Sequence, residues 1–404
     1  MDLRSARVPM ISFVAVLSIA PALVSWQPSV QVNDVSAGQQ DRPDAAIGPD
    51  SAVYLIWDDY RTGNQGDIYF SLRDAATGAW SANQKVSDDA NVGTQWNASV
   101  ALDASNNAYA VWQDLRQGTI KNPDVNIFFS KRSAATGVWS ANVRVNDDTS
   151  GRAAQNSPRI AVNTTGDAVA VWDDHRSKQW NVYSSRLSAG GTAWAANLRV
   201  TDNGTSRKFS PDVAIGADGT AYAVWEDDRS GNWDVWFAKL PVGAPGWTVN
   251  ERISDDPGAS DQYAPRIEID ANGDLFVVWL DDRVWSSEVR MARLVAGGVS
   301  WEPSRVVSDA AAFPVTVALG VADDGAAFVV WQDGRGASYD IWGAEYDVVS
   351  DIWLTPALVS DDPGVTAQMR PTVARNSSQV VVAWRDDRVS DGDIRARVGA
   401  GGGP

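Results

Sequence analysis

The chain has 404 residues, no cysteine, one histidine and a net charge of −17. Without thiols it can form neither disulfides nor thiolate metal sites, and cysteine–histidine catalysis is excluded. The acidic balance opposes nucleic acid and anionic membrane surfaces. Of the 51 acidic residues six are Glu, leaving 45 Asp. Asp caps tight turns with its short side chain and Glu does not, so this excess predicts a chain made of hairpins. No cofactor is expected; calcium is the one metal the aspartate excess would suit.

Taken from the start, Arg4 and Arg7 precede an apolar run from Val8 to Val24, marked by Pro9 and Pro21 and ending near the small residues Ala20, Ala22 and Ser25. This is the pattern of a signal peptide over residues 1–25, so the mature protein is expected to be secreted, periplasmic or on the cell surface, without membrane insertion. From Trp26 to Asp34 the sequence reads as a lone strand. A repeat then begins. Its first strand opens on Q-x-x-P, at Gln40–Pro43, Gln155–Pro158, Gln262–Pro265 and Gln368–Pro371, with Gln95–Ala98 and Lys208–Pro211 as variants. An Asx/Gly turn such as Ala217–Asp218–Gly219 leads into a second strand that ends in W-x-D-x-R. That motif occurs seven times, beginning at Trp57, Trp112, Trp172, Trp225, Trp279, Trp331 and Trp384, with steps of 55, 60, 53, 54, 52 and 53 residues. A third strand follows (Asp67–Ile68–Tyr69, Asp340–Ile341–Trp342). The fourth runs from a second Trp to an Asp eight residues later, as in Trp80/Asp88 and Trp247/Asp255.

A fixed period of this length is the mark of a repeat architecture. Helical periodicity is absent. Four antiparallel strands repeated seven times predict an all-β, seven-bladed β-propeller over residues 26–398, followed by a Gly-rich tail at 399–404. The lone N-terminal strand has no partners of its own, and the last repeat lacks a fourth strand, so the first is expected to complete the last blade. The run W-x-D-x-R-x-G-x-x-D-I-Y resembles the hairpin of TolB-type propeller repeats, and the blade layout is similar to that of sialidase-like secreted propellers. The sialidase Asp-box, S-x-D-x-G-x-T-W, is absent from every repeat, and the repeats are longer than the TolB-type unit.

A residue recurring in every blade reads as scaffold: Trp packing between blades, with Asp and Arg bridging the turn. Function is sought where the repeats differ. Beside the Gln of Q-x-x-P stand Trp96, Phe209, Tyr263 and Met369, with Phe313 before Pro314 in the shortened copy. These five, with the turn residue Trp233, form the expected ligand-binding set; Trp180 and Trp285 lie in equivalent turns. No catalytic residue is assigned. A sialidase-like mechanism would ask for converging arginines with a Tyr and a Glu; Tyr263 and Glu268 are close in sequence, which does not show that they converge, and His175 reads as a solvated turn residue. The expectation is a monomeric, exported binding or scaffold module that takes a carbohydrate or an extracytoplasmic protein at the channel mouth. A glycoside hydrolase or lyase of sialidase-like propeller type is the alternative, to be favoured by carboxylates clustered at that mouth.

Overall fold

A computed structural model describes residues 24–400 apart from 35–36, 64, 90–92, 119–123, 150, 152, 203, 365 and 390–391. The signal-peptide reading falls almost entirely on residues 1–23, outside the described residues. The rest is β-structure in seven antiparallel sheets, six with their strands side by side in chain order and the last completed by strands from the start of the chain. The inner strands are Gln40–Ile47, Gln95–Leu102, Gln155–Val162, Lys208–Ile215, Gln262–Ile269, Pro314–Val321 and Gln368–Arg375, defining blades 1 to 7. They line a central channel of ≈ 910 Å³.

The second strand of each blade is the most buried, as in Val53–Asp59, whose seven residues are all enclosed. It carries the repeat Trp. All seven of these indoles are fully buried, each packed against the preceding blade. Trp112 of blade 2 joins Ile56, Ile68 and Phe70 of blade 1, and Trp57 joins Ala383, Ile394 and Ala396 of blade 7. Outer strands are shorter than the sequence suggests, most of them two paired residues such as Gln84–Lys85. The second Trp nevertheless anchors each to its neighbour, as where Trp139 meets Phe70 edge to face at 5.4 Å.

The Asp and Arg of the repeat bridge the turn and also tie one blade to the next. In blade 1, Trp57 Nε1 donates to Asp59 Oδ2 at 2.9 Å, while Arg61 donates to Asp59 Oδ1 through its backbone N and Nε, both at 2.9 Å. Arg61 also reaches Asp34, the last residue of the preceding outer segment, at 2.9 Å. The same clasp joins Arg116 to Asp88, Arg176 to Asp147, Arg229 to Asp202, Arg283 to Asp255, Arg335 to Asp309 and Arg388 to Asp361. The two repeated aspartates are thus the two ends of one interblade clasp.

Closure follows the expected scheme. The third strand of blade 7, Asp393–Ala400, pairs with Ser25–Trp26 and Val30–Gln31. It runs through Gly399 and Ala400, two residues past the boundary read from the sequence, because Gly399 belongs in the sheet. A Cβ there would lie 2.2 Å from Val24 Cγ1 and 3.0 Å from Trp26 Cε3, so the outer strand can approach only a glycine. Residues 401–404 lie outside the described residues.

Candidate functional site

One face of the ring collects the start of every inner strand, the W-x-D-x-R turns and the ends of the outer strands, since Gln40 pairs with Asp59 and Asp59 with Asp67. On this face each inner strand carries a bulge near its start, just before the Pro in blades 1, 3, 4, 5 and 7, before Ala98 in blade 2 and after Pro314 in blade 6. The residue at the bulge adopts a left-handed backbone in six blades: Arg42, Asn97, Ser157, Ser210, Ala264 and Arg370, with φ between 48° and 57°. Such a bulge turns an N–H out of its own ladder, and that donor must be satisfied elsewhere.

The acceptor comes from the residue after the repeat Trp in the preceding blade. Asp58 accepts from Asn97 N at 2.7 Å, Gln113 from Ser157 N at 3.1 Å, Glu226 from Ala264 N at 2.8 Å and Gln332 from Arg370 N at 3.1 Å. Asp173 accepts from Ser210 N in the same way. Blade 6 has the shortened connection and no left-handed residue, and blade 5 correspondingly offers Leu280, which accepts nothing. This row after the Trp was missed in the sequence. Its signal was present, because the position varies between blades while the Trp before it does not.

The row and the bulges border a second, shallow and widely open cavity of ≈ 560 Å³ at the channel mouth. Trp96 and Phe209 line it, with the polar side chains of Asn97, Gln113 and Asn156 and the carboxyls of Asp173 and Glu226. Gln113 Nε2 donates to Asn156 Oδ1 at 2.8 Å and Asn97 Nδ2 to Gln113 Oε1 at 2.9 Å, so the amides form a connected row. Phe209 continues outward into an aromatic run. Its ring centroid lies 5.4 Å from Trp180 and 5.9 Å from Trp233, and His175 lies 4.8 Å beyond Trp180. His175 is therefore half-buried against an indole rather than free in its turn, because blade 3 supplies Trp180 five residues later.

The other residues of the expected set sit differently. Tyr263 is half-buried against the core between blades 5 and 6, and its phenol reaches Asp282 at 3.4 Å and Ser287 at 3.3 Å. Glu268 instead lines the channel, so the two do not make the Tyr/Glu pair. Phe313 is 54% exposed, and Met369 is half-buried at the bulge of blade 7. Trp233 is flanked by Phe209 and by the Arg207 guanidinium, 5.0 Å from its ring centre. Trp285, 107% exposed, stands apart.

Below the mouth, side chains of the inner strands fill the channel in layers. The first contains Asp44, Ser99, Arg159, Asp212, Arg266, Ala318 and Thr372; the second is Ala46, Ala101, Ala161, Ala214, Glu268, Gly320 and Ala374. Glu268 is the one charge in a layer of small residues. Crowding by the channel wall, then Asp212 and Asp44, push its carboxyl up to about 8. Burial, then Arg159, bring Arg266 down to about 10. At the mouth, burial raises Asp58 to about 7 against the pull of Arg42. Among the described residues no group of three or more His, Asp or Glu is placed to hold a metal ion.

No family model matches this sequence, and no curated protein matches it either. Solved structures do. A polysaccharide lyase of family PL25, an ulvan lyase, superposes with a TM-score of 0.62 at 12% identity, over 91% of this chain and 95% of that one. A fungal alcohol oxidase of the AA5 family, in complex with copper, gives 0.60 at 10%, over 94% and 77%. The Hadza microbial sialidase Hz136 gives 0.51 at 11%, over 91% and 68%. At these identities the likeness is one of fold.

Proposed function

We propose that this protein is an exported, monomeric recognition module that takes a neutral saccharide at the channel mouth. The observation that carries the reading is the mouth cavity, where the rings of Trp96 and Phe209 meet a row of amides from Asn97, Gln113 and Asn156. A sugar ring presents an apolar C–H face and a rim of hydroxyls that both donate and accept. An aromatic side chain suits the first and a carboxamide, with both functions, suits the second. The aromatic run from Phe209 to Trp180 and Trp233 extends this surface beyond a single ring, as a chain of sugars would use. The net charge of −17 argues for a neutral ligand over an anionic one. Several propellers of similar fold act on saccharides by their names, which agrees with the reading as analogy only.

The test is a glycan array probed with the purified protein, with and without calcium, followed by calorimetry on the best ligand. Neutral glycans should bind, and Trp96→Ala should weaken that binding. Failure of every glycan under both conditions, with capture of an extracytoplasmic protein on the same face, would replace the saccharide with a protein ligand.

A further inference from the structure

At the position after the repeat Trp, the fold needs only a hydrogen-bond acceptor for the neighbouring bulge. Gln113 and Gln332 meet that need with neutral amides, and blades 5 and 7 do without it, carrying Leu280 and Arg385. A carboxyl buried there brings a desolvation cost that an amide avoids. Three blades carry one all the same. Asp58 is balanced by Arg42, 3.1 Å away. Asp173 and Glu226 form no ion pair among the described residues. They are adjacent around the ring, in blades 3 and 4, and both line the mouth cavity beside Phe209.

We propose that Asp173 and Glu226 are a catalytic acid–base pair, and that the mouth hydrolyses a glycosidic bond of the saccharide it binds. The inference rests on the binding reading above and adds a reaction to it. Asp173 is 3% exposed, and its buried Oδ1 has no partner among the described residues. Its surroundings are the hydroxyl of Ser157, the N–H of Ser210, the Glu226 carboxyl and, further off, Arg159. Glu226 is more open and faces Ala264 N and the Ser210 hydroxyl, with Arg266 and Asp261 beyond. Burial raises both carboxyls above their ordinary range, and each carboxyl's charge disfavours the other's. Burial acts more strongly on the more enclosed Asp173, which is raised well above the ordinary carboxylate range and is assigned the proton, while the more open Glu226 is assigned the role of base.

The step follows from that division. Asp173 gives its proton to the glycosidic oxygen as the bond from that oxygen to the anomeric carbon breaks, the electron pair leaving with the oxygen. Glu226 takes a proton from a water whose oxygen forms the new bond to the anomeric carbon. One water is consumed, two shorter saccharides are released, and proton exchange with solvent restores the pair.

Asp173→Asn and Glu226→Gln keep an acceptor for the bulge, as Gln113 and Gln332 already do, so both variants should melt with the parent. The purified protein is incubated with neutral oligosaccharides from β-glucan, xylan, arabinan and galactan. New reducing ends are measured alongside binding and Tm. Release by the parent, reduced roughly 100-fold or more in each variant with binding and Tm retained, is the expected result. Binding without release by the parent, or release unaffected by either substitution, overturns the catalytic pair and leaves the binding reading intact. Neither binding nor release overturns both. Should Asp173→Asn unfold, Glu226→Gln alone decides between these outcomes.

Discussion

Cutting the chain at residue 37 instead of residue 24 removes the outer strand that closes blade 7. Val32, 4% exposed, leaves the core between blades 7 and 1. That loss is worth about 1.5–3 kcal/mol. Asn33 Nδ2 no longer donates to Asp393 Oδ1 at 2.8 Å or to Gln40 Oε1 at 3.1 Å, and its Oδ1 no longer accepts from Ile394 N at 2.8 Å. Leaving those buried groups unpaired costs about 1–3 kcal/mol. The edge contact of Trp26 with Phe328, 5.7 Å between centroids, adds about 0.5–1.5 kcal/mol. The exposed clasp from Arg61 to Asp34 contributes little. Together these predict a loss of about 3–7.5 kcal/mol, a large share of the 5–15 kcal/mol typical of a folded domain. Urea unfolding followed by tryptophan fluorescence reads the loss directly, and a synthetic peptide of residues 24–34 added in trans should restore part of it. Coincident unfolding midpoints for the long and short chains would refute the shared-blade closure.

Asp281→Ala should destabilise by about 3 kcal/mol, because the buried carboxylate accepts from Trp279 Nε1 and from Arg283. Asp227→Ala should cost about 1 kcal/mol less, since Trp225 Nε1 has no partner to lose among the described residues; thermal melts of the two variants check the order. Asp58 has a folded pKa of about 7, above that of an unfolded carboxylate. Its stabilising contribution is therefore full below the unfolded value and lost as pH rises through 7, so the stability gap between parent and Asp58→Asn should shift against the parent between pH 4 and pH 8 in urea titrations. Trp96→Ala should weaken saccharide binding at unchanged Tm, whereas Tyr263→Ala should lower Tm, because Tyr263 packs on the core between blades 5 and 6; calorimetry and melting of the same two samples separate the effects.

The fold was legible because its physics repeats. A buried Trp at a fixed interval, a capping Asp two residues later and an Arg to neutralise it recur in every blade, so seven independent copies agree on one hairpin. Closure was legible for a related reason: a strand without partners at one end answers a missing strand at the other. What misled was local. Gly399 looked like the beginning of a Gly-rich tail outside the sheet, yet its missing Cβ is what lets Trp26 and Val24 approach. A glycine needed for contact and a glycine in a linker are the same letter.

The candidate mouth was half legible in the sequence, and the division has a cause. Trp96, Phe209 and Trp233 differ from their counterparts in other blades and do gather at or beside the mouth, so variation within a repeat pointed to them. Tyr263 varies in the same way and is half-buried, because a bulky residue at the bulge can lean toward the mouth or toward the next blade, and only the local packing chooses. The row after the Trp varies between blades as well, but the invariant Trp beside it masked that signal. Asp58, Gln113, Asp173, Glu226 and Gln332 share one structural task, accepting a bulge N–H, and a shared task reads as scaffold. The distinction lies between acceptors that are amides and acceptors that are carboxyls with no ion-pair partner among the described residues. An amide completes the hydrogen bond at no further cost, whereas Asp173 and Glu226 complete it at a cost that the fold does not require. That excess, at two adjacent positions that both line one cavity, is the ground on which the chemistry proposed above is assigned to them.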